Sequence, residues 1–247
     1  MKTKHKRIVI TVILLICVAV CICLAALLSH RQYFDPETPK ISDEDEYISP
    51  VDFEALHEIN EHIYAWLDIP DTEISYPMIQ HPTDDTYYLR RDIKKKKNIA
   101  GTVFTEAGYS GTDFTDPVTV AYGHNMDDGS MFGTLQSTYS SEKGLQEHSE
   151  FVVYLPDKEL HYMVFAAVPF DNRHILYNYD FTDQRTFRLF FEEIMSVRSL
   201  ESVFAEDASV SPDDHILILS TCLKGNRNER FLVCGKLLKT VPADTAE

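Results

Sequence analysis

Residues His215 to Leu238 read HILILSTCLKGNRNERFLVCGKLL. Two apolar runs flank one polar connection, a cysteine closes the first run, and an arginine opens the second. The run Ile216 to Thr221 predicts a strand, and FLVCGKLL predicts its antiparallel neighbour. The connection Leu223 to Glu229 is seven residues, short enough to keep the strand ends adjacent. Cys222 and Arg230 are then expected to face each other at the mouth of the sheet. Neighbouring strands lie about 4.8 Å apart, so both side chains reach one substrate atom if they share a face. Cys234 lies in mid-strand and reads as structural. A bridge between Cys222 and Cys234 stays open as a reading, although the two-strand arrangement does not require it.

Outward from this pair the texture is similar. The runs TEISYPMIQ, GTVFTE, PVTVAYG, EFVVYLP and HYMVFAAVPF are β-branched and aromatic, punctuated by Gly, Pro and Asp. A helix is predicted before them, capped by Ser49 with Pro50 in its first turn and with Val51, Leu56, Ile59 and Ile63 on one side. A second helix is predicted from Asp183 to about Val197, capped by Thr182, with Phe187, Phe190, Phe191, Ile194 and Met195 as its apolar face. The body is mostly β with few helices, which points to a barrel or sandwich. Lys94 to Lys97 form a basic tetrad that reads as a solvated loop.

The chain begins differently. Ile8 to Leu28 is a 21-residue stretch whose only polar residue is Thr11, long enough to span bilayer hydrocarbon of roughly 30 Å. Lys2, Lys4, Lys6 and Arg7 precede it and the acidic run Ser42 to Glu46 follows it. This asymmetry predicts a cytoplasmic tail at 1–7, a single transmembrane helix at 8–28 and an exterior remainder at the plasma membrane. The competing reading is a cleaved signal peptide, whose apolar region is ordinarily shorter. Residues 29–48, polar and broken by Pro36 and Pro39, read as a linker. The extracellular domain is expected at 49–240, with a flexible tail at 241–247.

Net charge is −16, and residues 29–247 carry 19 basic against 39 acidic residues, a balance of −20. Such a surface repels phosphate backbones, so nucleic acid is not an expected partner. Cys17, Cys21 and Cys23 fall in the apolar stretch, and two further cysteines are too few for a disulfide scaffold.

A nucleophilic cysteine needs a group that exchanges its proton and an electropositive group for the oxyanion. Arg230 offers a fixed cation. Among ten histidines, His124 in PVTVAYGHNMDDGSMFG follows a strand-like run, where Gly123 relieves steric limits at the turn. Each residue also has an ordinary reading: Cys222 as a small buried side chain, His124 as a polar loop residue, Arg230 as a surface charge. The residues alone leave open a cysteine–histidine–arginine enzyme and a non-catalytic β module.

The order His124, Cys222, Arg230, with the contexts YGHNM, LSTC and RFLVCGKL, resembles the sortases, cell-wall transpeptidases of Gram-positive bacteria. WLDIPDTEISYPMIQ (66–80), DDTYYLRRD (84–92) and GHNMDDGSMFGTL closely resemble class B sortases, as does the late helix. The resemblance runs from about Leu56 to Leu238. It implies a closed β-barrel of about eight strands, with an N-terminal helical extension and one long late helix. It also implies that Cys222 attacks a Thr–Gly or similar amide in the C-terminal sorting signal of a secreted protein. An amine of the cell-wall precursor or cross-bridge would then resolve the thioacyl intermediate. His124 would act as acid and base, and Arg230 would hold the carbonyl or oxyanion. Arg227 lies nearby, but Arg230 abuts the apolar strand as the family pattern requires. Ser220, Thr221 and Asn125 are expected to shape the substrate pocket, and neither cofactor nor metal is expected. Assembly of pilins in place of wall anchoring is the alternative within the family. The SHGC run of L,D-transpeptidases is absent, and papain-like hydrolases place cysteine before histidine.

Overall fold

The computed structural model describes residues 49–206 and 208–242. The tail, transmembrane and linker expectations for 1–48 lie outside the described residues, and so do residues 243–247 of the expected C-terminal tail. No helix among the described residues is long and apolar enough to cross a membrane.

Helix α1 spans Phe53–Ile59 and is capped by Asp52, whose carboxylate accepts from the Ala55 amide at 2.9 Å. The cap therefore falls three residues after the expected Ser49. Ile63, expected on the helix, instead opens strand β1, Ile63–Asp68. This strand escaped the pattern because it is buried on both faces through Ala65, Trp66 and Leu67 and shows no alternation. Strands β2 (Ser75–His81), β3 (Val103–Glu106) and β4 (Val118–Tyr122) follow. Short helices α2 (Leu135–Tyr139) and α3 (Glu142–Glu147) lead into β5 (Glu150–Tyr154) and the long β6 (Lys158–Asp171). One helical turn, α4 (Ile175–Asn178), precedes helix α5 (Gln184–Ser196), a two-residue strand β7 (Val203–Phe204), and the final pair β8 (Ile216–Leu223) and β9 (Asn226–Pro242). Val241 and Pro242, expected in the tail, still pair with Glu159 and Lys158 of β6.

The strand order is β5-β1-β2-β3-β4-β8-β9-β6, and β5 pairs with β6 to close an eight-stranded barrel; β7 extends one edge of β6. The β2–β3 and β4–β8 pairs are parallel and the others antiparallel. Closure removes the open edges that a sheet of this size would otherwise expose.

Alternation along each strand sorts side chains to two faces. The interior is filled from every side of the barrel, by Leu67, Met78, Ala121, Phe151, Leu219 and Val233 among others. The outer face of β4, β8, β9 and β6 carries Val118, Val120, Ile216, Ile218, Leu232 and Val168, covered by Phe187, Phe190, Phe191 and Ile194 of α5. That helix is capped by Asp183, whose carboxylate accepts from the Thr186 amide at 2.8 Å, one residue after the expected Thr182. On the other side, Phe53 and Leu56 of α1 seal Ile63, Trp66, Ile79 and Phe104.

Candidate active site

The final strand pair holds the cysteine and the arginine. Cys222 and Arg230 are direct partners in the antiparallel β8–β9 register. The strands run further than expected: Leu223 pairs with Asn226 around a tight turn at Lys224–Gly225, with Gly225 at φ +85°. The three residues 227–229 therefore form a bulge in β9 between two paired positions. The turn is tied down, because Gln136 Oε1 accepts from the Lys224 amide at 2.9 Å.

Face follows from alternation. Leu219 and Leu223 fill the barrel interior, so Cys222 between them in phase with Ile218 and Ser220 belongs to the outer face. Arg230, opposite Cys222, lies on the same face, in phase with Leu232. Tyr122 joins them at the end of β4: it pairs with Ser220, and the Arg230 charge acts on its phenol.

His124 arrives by the parallel β4–β8 register. Tyr122 pairs with Ser220, and the Gly123 amide donates to the Ser220 carbonyl at 3.1 Å. Two residues past this rung, on each strand, stand His124 and Cys222. Asn125 Nδ2 donates to the Cys222 carbonyl at 2.8 Å, a direct tie between the histidine loop and the cysteine. His124 Nε2–H donates to the Leu89 carbonyl at 2.8 Å. A carbonyl only accepts, so this bond keeps the proton on Nε2 and leaves Nδ1 for proton exchange. The loop folds back through Phe132, whose amide donates to the His124 carbonyl at 2.9 Å. A Cβ on residue 123 would meet the Phe132 ring at 2.6 Å, so Gly123 is needed for close packing of its own loop.

The three expected pocket residues separate. Asn125 touches Cys222 as described. Ser220 is buried on the outer face, one rung below the cysteine. Thr221 is buried opposite Phe231 on the interior face, pointing away from Cys222. Cys234 is fully buried, and burial pushes its thiol far above the ordinary range. Cys222 and Cys234 are both free thiols, and Cys222 is partly exposed. Among the described residues, no group of three or more His, Cys, Asp or Glu side chains is placed to hold a metal ion.

A part-buried contact beside the site was not foreseen. Glu106, at the end of β3, accepts from His174 Nε2 at 2.9 Å, and His174 Nδ1 accepts from the Tyr177 amide at 3.0 Å, capping α4. Burial raises the Glu106 carboxyl. It also raises the Tyr122 phenol strongly, reinforced by the Glu106 charge. The buried Tyr122 hydroxyl and the Glu106 carboxylate are close enough to act on each other's protonation. The contact fastens the β6–α5 connection to the barrel beside the Cys222 face.

No family model matches the chain. A sortase B of Listeria monocytogenes is 33% identical over 199 residues, covering 74% of this chain and 72% of the relative. The chain belongs to the class B sortases. Sortase B from Bacillus anthracis in complex with AAEK1 superimposes with a TM-score of 0.69 at 28% identity, over 85% of this chain and 94% of that one. The Staphylococcus aureus sortase B–substrate complex gives 0.67 at 26% identity, over 78% and 87%. The mostly-β barrel expected from the sequence is that of sortase B, and the chain is a sortase-type cysteine transpeptidase. The signals for the unforeseen residues were faint. Tyr122 stands next to Gly123–His124 in the sequence, whereas Leu89 contributes only its backbone carbonyl, which no side-chain pattern marks.

Proposed function

We propose that this sortase cleaves the C-terminal sorting signal of secreted proteins and joins the new carboxyl end to an amine of the cell-wall precursor or cross-bridge. The Cys222 thiol gives its proton to His124 Nδ1 and the sulfur attacks the scissile amide carbonyl, forming a C–S bond. The C–N bond then breaks, and His124 Nδ1–H protonates the departing amine. In the second half, the acceptor amine attacks the thioester, His124 Nδ1 takes its proton, the C–S bond breaks, and that proton passes to the departing Cys222 sulfur. Arg230 donates to the carbonyl oxygen as negative charge develops on it. Ser220 and Asn125 border the bound peptide on the Cys222 face, whereas Thr221 acts from the interior by supporting the strand. In this reading residues 8–28 anchor the enzyme in the plasma membrane, with the barrel outside, where secreted substrates and wall precursors meet.

The observation that carries this reading is the shared outer face of Cys222 and Arg230, with the His124 loop bonded to the cysteine's own carbonyl. A library of sorting-signal peptides offered to the purified enzyme, with mass spectrometry of thioacyl adducts, tests it. Adducts on Cys222 and amine-dependent product are expected, and both should vanish in Cys222→Ala. Cleavage that survives this substitution would falsify the assignment. A product made only with a lysine-bearing pilin segment as acceptor would redirect it to pilus assembly.

A further inference from the structure

The basic stretch after the Leu89 turn is an ordered hairpin. Residues 90–97 hold six cations, Arg90, Arg91 and Lys94 to Lys97, against the single acid Asp92, in a chain of net charge −16. Arg91 and Lys97 form an antiparallel bridge. The Asp92 carboxylate accepts from the amides of Lys94 and Lys96, both at 2.9 Å, and Lys95 adopts φ +62° at the tip. The hairpin is closed by Gly101 at φ +59°, where a Cβ would meet the Leu89 carbonyl oxygen at 2.6 Å. That same carbonyl receives the His124 Nε2–H. The hairpin therefore starts one residue from the contact that orients the histidine.

Its cations line a cavity of about 420 Å³ bounded by Arg90, Arg91, Lys97, Asn98 and Ile99. The Arg91 guanidinium is held in place, 4.1 Å over the Tyr87 ring and donating to the Tyr87 carbonyl at 2.9 Å. Arg90 and Lys97 make no ion pair with any described residue, while Lys95 is engaged by Glu61 at 2.8 Å. Ile99 stands at the rim with 70% of its surface exposed. Two arginines, a lysine and an asparagine border one opening whose lining is mostly the apolar part of these side chains and of Ile99, and cations in this number around it suit the several acceptor oxygens of a phosphate. An exposed isoleucine beside such a cluster adds what a free anion does not use, an apolar contact for the glycerol and acyl part of a lipid.

We infer that this hairpin binds an anionic membrane lipid, its cations holding the phosphate head group and the apolar opening taking the glycerol and acyl part, which sets the histidine side of the barrel against the lipid surface. The inference does not need the peptide chemistry proposed above, although it would bring that chemistry to the membrane interface. The full chain in neutral maltoside micelles is titrated with short-chain phosphatidylglycerol, short-chain phosphatidylcholine or inorganic pyrophosphate. Calorimetry reads affinity and hydrogen–deuterium exchange reads location. Phosphatidylglycerol is expected to bind saturably, weaken with salt and protect residues 90–101. The exposed pair Arg90→Gln/Lys97→Gln should bind about tenfold more weakly or worse, with cleavage of soluble peptide unchanged. Cys222→Ala should keep the lipid binding while losing cleavage, so the two readings fail separately. The inference is overturned if phosphatidylcholine binds equally, if pyrophosphate binds as tightly as the lipid, or if protection falls elsewhere.

Discussion

Arg230 gains its meaning from its partner across the strands. It is paired with Cys222 and shares its face, its charge acts on the Tyr122 phenol, and its Nη1 donates to the Glu229 carbonyl at 3.2 Å. In the proposed reaction, a guanidinium fixed in this way serves as an oxyanion donor that need not reorganise as charge develops. Arg230→Ala is therefore expected to lower kcat/KM for peptide cleavage by about 10²–10³. Arg230→Lys should recover part of this, since it keeps the charge and loses the fork. Single-turnover formation of the Cys222 adduct is the measurement, and an unchanged rate in the alanine variant would remove Arg230 from the reaction. The two described cysteines illustrate the same dependence on surroundings. Cys234 sits among Ile218, Leu232 and Phe165, its thiol pushed up by burial, whereas Cys222 is partly exposed at the end of the same sheet.

At the scale of elements, the β6–α5 connection is held by polar ties beside the burial of Ile175 and Phe181 in the outer core. Its ties include His174 to Glu106, and Arg173, which pairs with Asp171 and with Glu193 of α5. Glu106 is buried and its carboxyl is raised by desolvation first. A raised folded value means that its contribution to stability is full below the unfolded carboxylate range and is lost as pH rises through the folded value. Glu106→Gln keeps an acceptor for His174 without that loss. The variant should match the wild type near pH 4 and gain on it toward pH 7 in thermal unfolding. Glu106→Ala leaves the His174 donor without its partner and should lose about 1 kcal/mol. Parallel curves for wild type and Glu106→Gln across this range would show that the buried charge is not a load. None of this contact was legible in the sequence, because 68 residues separate Glu106 from His174. Helix α5 was legible, since four of its apolar residues recur at helical spacing and are buried together. Strand β1 was not, because burial of both its faces erases the alternation by which a strand is read.

Over the whole molecule, the site depends on one long-range pairing. Cys222 and Arg230 meet through a tight local turn, which is why two apolar runs in the sequence sufficed to place them together. His124 reaches them only through the parallel β4–β8 pair, whose partners are 98 residues apart, as in Tyr122 and Ser220. No local pattern specifies that pairing; it follows from closing the barrel, in which β4 is the strand next to β8. A site assembled by barrel closure should persist only as long as the barrel does. Trp66, the single tryptophan, reports from β1, which lies between β5 and β2, three pairings from β4. It is buried, and its indole N–H donates to Ser75 at 2.9 Å. In urea, peptide cleavage and Trp66 fluorescence are therefore expected to fall with one common midpoint, as one cooperative unit requires. Cleavage lost well before the fluorescence change would mean that the β4–β8 seam opens locally while the remaining barrel stands. Proximity of histidine and cysteine would then rest on the loop contacts at Asn125 and Leu89 more than on the closed sheet.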